Sequence, residues 1–268
     1  MFVALTREPA RTLGDCELTY LERQPIDVGR ARAQHRAYHE TLAACGARVV
    51  TLPAIDELPD SVFVEDTAVV LDELAVITSP GVESRRAEVD AIEPEVARLR
   101  PVVRVTRPAT LEGGDVLRVG RRLYVGLSPR TNRAGLEALG RLVAPHGYEV
   151  LPVELRGCLH LKTGCSALDE RTVLLNPDWV SPEAFRACEL VAVPAAEPGA
   201  ANVLRVGRAV CVGSAFPQTA EMLAGRGYDV RRVEVSEFAK AEAGLTCMSL
   251  IFGRPEDAAT YGAAFGDG

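Results

Sequence analysis

Three side chains that together can perform nucleophilic catalysis stand far apart in this chain: the thiol of Cys247, the imidazole of His160 and the carboxylate of Glu112. A thiolate is a strong nucleophile, an imidazole transfers protons near neutral pH, and a carboxylate can orient that imidazole. The chain has seven cysteines and four histidines, so residue type alone selects none of them. Their positions within a repeated pattern make these three the candidates.

The repeat is visible directly in the sequence. Residues 116–121 and 203–208 both carry the sequence VLRVGR. Each repeat begins with a polar segment, which we call its entry loop, directly before a strand-like run. Spacings of 38 to 49 residues between equivalent positions indicate an array of small structural units. These equivalent positions are Asp66, Asp115, Gly164, Asn202 and Cys247.

Each unit is predicted to contain a strand, a tight turn, a second strand, a helix and a third strand. Only four complete units fit between Ser61 and the last entry loop, so residues 244–252 must complete a fifth unit that residues 2–52 begin. The sequence therefore predicts a single α/β domain over residues 1–268, a five-bladed α/β propeller with pseudo-fivefold repeats. In such a ring the entry loops converge, which would gather Asp66, Glu112, His160 and Cys247 at one mouth.

Composition and charge narrow the function classes. The chain has 30 basic and 37 acidic residues, a net charge of −7, which argues against nucleic acid or an anionic membrane as a partner. No apolar run is long enough to span a membrane, and the first residues lack the features of a signal peptide. An odd number of cysteines without paired spacings favours reduced thiols and a cytoplasmic location. Cys158, His160 and Cys165 lie close together, but without a Cys-x-x-Cys pair we expect no metal and no cofactor.

Acidic residues at two entry loops indicate a cationic partner. Glu112 lies among apolar residues, where a buried carboxylate needs a cation, either His160 or a ligand. Glu65 and Asp66 are adjacent, and Asp60 lies just upstream, with no lysine nearby in the sequence. A guanidinium is permanently charged, planar and rich in donors, and it matches carboxylates in geometry. The ligand implied is a molecule with a guanidinium group.

Arg85 lies in the first turn of one predicted helix, and Arg130 lies two residues before another. One interpretation makes them solvated surface charges. In the other they face inward and bind a carboxylate on the same ligand, which would then be an amino acid with a guanidinium side chain. The sequence leaves both interpretations open.

Five motifs in order now allow a resemblance to be stated: VEDT at 64–67, LEGGD at 111–115, SPRTN at 128–132, LHLK at 159–162 and LTC at 245–247. Together they resemble the dimethylarginine dimethylaminohydrolases of the pentein superfamily, over nearly the whole chain. The resemblance implies a pentein propeller that hydrolyses asymmetric dimethylarginine or monomethylarginine to citrulline and dimethylamine or methylamine. It also implies no cofactor, and a homodimer as the assembly.

The same resemblance implies a role for each candidate residue. Cys247 would attack the guanidinium carbon, His160 would protonate the departing amine and then activate water, and Glu112 would orient His160. The remaining residues would bind substrate: Asp66 and Glu65 the guanidinium, Arg85 and Arg130 the α-carboxylate, and Asp60 with backbone groups around Leu18 and Ala241 the α-amine. The loop around Leu18 would act as a lid.

One departure separates this chain from arginine deiminases, which it also resembles. Those enzymes carry an aspartate two residues after the histidine, whereas this chain has Lys162, which favours methylated arginine. The alternatives are an arginine or agmatine deiminase-like hydrolase that releases ammonia, an amidinotransferase, and a non-enzymatic pentein scaffold that binds the ribosome. Arg85 and Arg130 argue against agmatine, because agmatine has no carboxylate.

Overall fold

Five three-stranded sheets make up the β-structure of the computed structural model, which describes residues 2–253. Each sheet contains one antiparallel and one parallel pair of neighbouring strands. The predicted single domain over 1–268 extends beyond these residues and stays a prediction. The strands are β1 Phe2–Arg7, β2 Ala47–Leu52, β3 Ala68–Val70, β4 Ala75–Ile77, β5 Val102–Arg104, β6 Val116–Val119, β7 Arg122–Leu127, β8 Glu149–Glu154, β9 Cys165–Ala167, β10 Thr172–Leu175, β11 Glu189–Ala192, β12 Leu204–Val206, β13 Ala209–Gly213, β14 Asp229–Val233 and β15 Leu250–Phe252.

Helices connect the parallel strands in most of the sheets. Their starts carry local signals: the side chain of Asp27 accepts the backbone N–H of Arg30, and Asn132 does the same for Gly135, which are N-caps. In the described part of the chain no helix has the length and apolar character needed to cross a membrane. The helices are α1 Val28–Ala44, α2 Arg86–Ala97, α3 Arg133–Val143, α4 Leu161–Gly164, α5 Pro217–Gly225 and α6 Ser236–Ala239.

The sheet that joins the two ends of the chain confirms the shared fifth unit. β1 pairs in antiparallel register with β15, with Leu5 opposite Leu250, and in parallel register with β2. Residues 244–252 therefore complete the unit that residues 2–52 begin, as the count of repeats predicted.

The unit built from β9, β10 and β11 departs from the others. A 3₁₀ turn at Pro182–Phe185 connects its parallel strands in place of an α-helix. The position of its third strand, Glu189–Ala192, was not predicted, because this segment lacks an apolar alternation.

Neighbouring units pack against each other through shared hydrophobic clusters. In one cluster Leu117 and Tyr124 of one unit meet Leu161, Val173 and Phe185 of the next. The rings of Tyr124 and Phe185 lie 4.4 Å apart between centroids. Because burial of one large apolar side chain contributes roughly 1.5–3 kcal/mol, this shared cluster stabilises both units.

Successive entry loops are also joined by hydrogen bonds from side chain to backbone. In each, a side chain of one unit accepts a backbone N–H from the entry loop of the next unit. The pairs are Gly114 N–H to Asp66 Oδ1 at 3.0 Å, Leu161 N–H to Asp115 Oδ1 at 3.0 Å, Val203 N–H to Ser166 Oγ at 3.1 Å and Thr246 N–H to Asn202 Oδ1 at 3.1 Å. Thr246 Oγ1 donates to Glu65 Oε2 at 2.6 Å, which links the last entry loop to the first. The polar groups of the entry loops are thus held in contact.

Helix α1 carries a buried histidine that links stability to pH. His35 is fully buried beside His39, with ring centroids 4.1 Å apart, and neither of its ring nitrogens has a hydrogen-bond partner among the described residues. Burial, together with the charge of His39, lowers the pKa of His35 to about 3. The unfolded chain therefore binds a proton that the folded protein excludes, so stability is lost as pH falls below the ordinary histidine pKa.

Replacing His35 with leucine should remove this loss. Between pH 7 and pH 5 the wild type should lose about 2 kcal/mol of unfolding free energy that His35→Leu retains. Urea unfolding at both pH values measures the difference. His146→Gln, at an exposed histidine, is the control and should keep the wild-type dependence. Equal pH dependence in His35→Leu and wild type would contradict the assignment.

Candidate active site

His160 and Glu112 form a hydrogen-bonded pair at the entry loops. His160 is the N-cap of α4, and Glu112 directly precedes the turn that leads into β6. Their Nε2 and Oε2 atoms lie 2.7 Å apart, and Glu112 is completely buried. The other oxygen of Glu112 accepts the backbone N–H of Gly81 at 3.0 Å. The carboxylate therefore has the position needed to orient the imidazole, and the cationic partner expected for Glu112 is present.

The charge state of His160 follows from the acids around it. Its Nδ1 atom lies 3.8 Å from Asp66 Oδ1. Burial alone would lower the pKa of His160, but Asp66, Asp115 and Glu112 outweigh burial and raise it to about 9. At neutral pH the ring is an imidazolium with a proton to give.

Asp66 is ionised because two cations adjoin it. Burial would raise its pKa, but His160 and Arg85 outweigh burial and hold the pKa at about 2. Arg85 Nη1 donates to Asp66 Oδ2 at 2.6 Å, and Arg85 also pairs with Glu88 at 2.8 Å. Arg85 lies 19 residues beyond Asp66 in the sequence and becomes its neighbour only through the fold. The protein itself supplies a cation that the sequence analysis assigned to a ligand alone.

Glu65 is paired as well. Oε1 lies 2.5 Å from Lys162 Nζ, and Oε2 accepts the hydroxyl of Thr246 at 2.6 Å. Burial raises the pKa of Glu65, and the ammonium of Lys162 opposes the rise. Lys162, which replaces the aspartate of arginine deiminases, therefore neutralises a buried carboxylate. Contact between Glu65 and a substrate guanidinium stays a prediction, since both oxygens are engaged here.

Cys247 lies in the 3₁₀ turn Thr246–Met248, three residues before β15 begins. Its Sγ accepts the backbone N–H of Gly244 at 3.4 Å. Burial, followed by the charges of Glu65 and Asp66, raises the pKa of Cys247 to about 12. Asp66 thus raises the pKa of both Cys247 and His160 through its charge, and a shared catalytic role for the two groups stays a prediction. Without a ligand the sulfur is a thiol.

Arg130 faces inward, as does Arg85, and each is only 4% exposed. Arg130 Nη1 lies 3.6 Å from Glu112 Oε2, and Nη2 donates to Thr19 Oγ1 at 3.2 Å. The interpretation of both arginines as solvated surface charges is therefore wrong. Binding of an α-carboxylate stays a prediction.

The residues predicted to receive an α-amine lie nearby. Asp60 is buried, which raises its pKa, and its carboxylate accepts the backbone N–H of Glu17 at 3.1 Å. Leu18 and Ala241 belong to the hydrophobic cluster against which Cys247 packs. Leu18 and Ala241 thus share a hydrophobic cluster with Cys247, and binding of an α-amine by these residues stays a prediction.

Sequence reasoning missed Glu242 as the residue that holds the predicted lid. Its carboxylate accepts the backbone N–H groups of Thr19, Tyr20 and Leu21, at 2.5 to 3.1 Å. Its own backbone is left-handed, with φ of 58°, a conformation that non-glycine residues rarely adopt. Nothing in the linear sequence indicates this contact, because the lid and Glu242 are more than 200 residues apart.

Asp115 was also missed as a site residue, although the LEGGD motif contains it. It is completely buried, accepts the hydroxyl of Ser128 at 2.6 Å and the backbone N–H of Leu161 at 3.0 Å, and has a pKa raised by burial to about 6. Its equivalence to Asp66 in the repeat was the available signal.

One group of side chains could hold a metal ion among residues 2–253. Single ligand atoms of Asp66, Glu112 and His160 lie within 4.8 Å of one another. In the structure, however, Arg85 pairs with Asp66 and His160 with Glu112, so these charges are already balanced. A reaction without a metal stays a prediction.

This fold and this site define a class: an α/β protein of repeated three-stranded units with a thiol, an imidazole and carboxylates at its entry loops. A family model described as N,N dimethylarginine dimethylhydrolase, eukaryotic, matches residues 21–186. The N(G),N(G)-dimethylarginine dimethylaminohydrolase of Pseudomonas aeruginosa is 38% identical over 92% of this chain and 98% of that protein, and the one of Streptomyces coelicolor is 41% identical over 92% and 95%.

A solved structure extends the likeness to three dimensions. A cysteine-to-serine variant of the Pseudomonas aeruginosa enzyme, complexed with citrulline, matches with a TM-score of 0.90 over 94% of this chain and all of that chain, at 38% identity. The chain belongs to the dimethylarginine dimethylaminohydrolase family.

Removing the charge of Glu65 should activate the thiol. Because Glu65 raises the pKa of Cys247, Glu65→Gln should lower it and speed alkylation by iodoacetamide at pH 8, about tenfold for each unit of pKa. Mass spectrometry of the Cys247 peptide over time measures the rate. Glu170→Gln, at an exposed acid, should react like wild type. Slower alkylation in Glu65→Gln would contradict the electrostatic account.

Proposed function

We propose that this protein hydrolyses N-omega-methylated L-arginine to L-citrulline and dimethylamine or methylamine, through a covalent intermediate on Cys247. Family membership and the citrulline complex of the Pseudomonas aeruginosa relative support the substrate class. The observation that carries the proposal is Asp66, a buried anion that adjoins His160 and acts on Cys247.

The first half of the reaction starts with the charge of the substrate. A guanidinium beside Asp66 would offset the anions that keep the sulfur protonated, so the thiol loses its proton to solvent as the substrate binds. The thiolate attacks the guanidinium carbon and forms a C–S bond. The imidazolium of His160 then donates its proton to the methylated nitrogen, the C–N bond breaks, and the amine leaves.

The second half uses the same groups in reverse. His160, now neutral, takes a proton from water, and the oxygen attacks the carbon of the thiouronium. The C–S bond breaks as the hydroxyl proton of the tetrahedral intermediate passes to the leaving sulfur, which restores the thiol, and citrulline is released. Glu112 keeps the ring oriented in both halves and stabilises its protonated form, since the two are hydrogen-bonded at 2.7 Å.

The amino acid end of the substrate has its own binding groups in this proposal. Arg130 and Arg85 bind the α-carboxylate, and Asp60 with the backbone around Leu18 and Ala241 binds the α-amine. Asp66, with Glu65 behind it, holds the guanidinium. The lid held by Glu242 would exclude bulk solvent from the bound substrate.

We also propose the closed five-bladed propeller as the architecture of this domain. The sheet shared by both chain ends and the hydrogen bonds between successive entry loops support it. A cytoplasmic location and a homodimer remain proposals that rest on the unpaired cysteines and on the resemblance.

The central test is citrulline formation from asymmetric dimethylarginine. Wild type should release citrulline and dimethylamine in equal amounts, and Cys247→Ser should be at least about a thousandfold slower, because the hydroxyl is a far weaker nucleophile. Cys188→Ser is the matched control and should keep full activity. Arginine should turn over poorly, and a chelator should not inhibit.

Two results would contradict this proposal. Faster release of ammonia from arginine than of dimethylamine from dimethylarginine would favour a deiminase. Full activity of Cys247→Ser would remove the covalent step.

A substrate without the carboxylate tests Arg130. Arg130→Met should lower kcat/KM for dimethylarginine by about 10- to 100-fold more than for its decarboxylated analogue, since a hydrogen bond between charged groups contributes about 1.5–3 kcal/mol. Arg133→Met, at an exposed arginine of α3, is the control. Equal losses with both substrates would assign Arg130 to the His160–Glu112 pair instead of the carboxylate.

A further inference from the structure

Asn202 occupies an entry-loop position but has no role in the reaction described above. The equivalent positions of other units carry Asp66, Asp115 and Cys247. Asn202 is buried, with 9% of its surface exposed. A buried carboxamide must form hydrogen bonds, so its partners reveal what it holds.

Those partners belong to the two segments that carry the thiol and the imidazole. Asn202 Oδ1 accepts the backbone N–H of Thr246 at 3.1 Å. Its Nδ2 donates to Thr246 Oγ1 at 3.0 Å and to the backbone carbonyl of Lys162 at 2.9 Å. Thr246 directly precedes Cys247, and Lys162 lies two residues after His160. One carboxamide therefore bridges the two segments.

The bridge closes into a cycle of buried polar groups. The hydroxyl of Thr246 donates to one oxygen of Glu65, and the other oxygen pairs with Lys162, whose carbonyl returns to Asn202. Each member fixes its neighbour, and none requires a substrate to be present. A buried, fully paired network of this kind rigidifies its surroundings.

Close packing strengthens the constraint on the Cys247 segment. A Cβ atom added to Gly244 would lie 2.4 Å from Asn202 Oδ1, so the backbone at Gly244 rests directly on the carboxamide. The N–H of Gly244 donates to Cys247 Sγ at 3.4 Å. The contact thus continues from Asn202 through Gly244 to the sulfur.

We propose that Asn202 is a positioning residue that sets the placement of Cys247 Sγ relative to His160; the proposal rests on the function proposed above. Attack by sulfur and protonation of the leaving amine must act on one substrate molecule, and small misplacements cost rate. A carboxamide supplies the acceptor and the two donors that this bridge needs. Asn202 itself does not contact the reacting atoms.

The experiment compares Asn202→Ala with a matched control, Asn176→Ala. Asn176 is 3% exposed, and its carboxamide also bridges two backbone groups, the carbonyl of Pro198 and the N–H of Asp178, at 3.0 and 2.9 Å. Both variants should lower Tm by several degrees. Only Asn202→Ala should lower kcat, by about a hundredfold, with KM for dimethylarginine within about threefold of wild type.

A conservative variant separates positioning from loss of volume. Asn202→Asp keeps the shape and the acceptor for Thr246, but places an oxygen against the carbonyl of Lys162 in place of a donor. It should be at least as slow as Asn202→Ala. Release of dimethylamine in a single turnover should show the defect, because that step needs Cys247 and His160 together.

Alkylation of Cys247 by iodoacetamide provides a readout that needs no turnover. Loss of the bridge should free the Cys247 segment and speed alkylation at least about fivefold in Asn202→Ala, with no change in Asn176→Ala. A wild type that forms no citrulline would refute the proposed function, while the alkylation rates would still decide the role of Asn202. The inference would be overturned if Asn202→Ala showed unchanged alkylation or a kcat within twofold of wild type. An equal loss of kcat in Asn176→Ala would also overturn it.

Discussion

A buried anion must be paired, and in this protein Asp66 is the anion around which the site is assembled. It contacts the guanidinium of Arg85 and a backbone N–H of the next unit, and it adjoins the imidazole of His160. These contacts offset the cost of burying its charge. Because the partners come from different units, the charge of Asp66 constrains where those units meet.

The same charge acts in opposite senses on the two reactive groups. Asp66 favours the protonated imidazole of His160 and disfavours the thiolate of Cys247. At neutral pH His160 is therefore an imidazolium and Cys247 a thiol. In the proposed reaction a cationic substrate would resolve this conflict, because it would supply the positive charge that a thiolate needs. Selectivity for a guanidinium and activation of the sulfur would then have one physical origin.

The repeat explains why the chemistry collects at the entry loops. Each unit is too small to bury its own polar loop, so a side chain of one unit satisfies the backbone of the next. Residues at these positions are held by two units at once. The side chains at three of these positions have different roles. Asp66 places a charge at the site, and Asp115 supports the His160 segment. Asn202 bridges the segments of His160 and Cys247.

The amino-acid sequence by itself determined the repeat, the strands and helices of most units, the sheet shared by the chain ends, and the candidates Glu112, His160 and Cys247. These follow from local apolar patterns and recurring motifs, which act over short distances along the chain. Only the tertiary structure decided that Lys162 pairs with Glu65, 97 residues away, that Arg85 lies between Asp66 and Glu88, and that Asn202 bridges two segments. An ion pair or a buried amide is defined by its partner, and the partner becomes a neighbour only when distant loops meet.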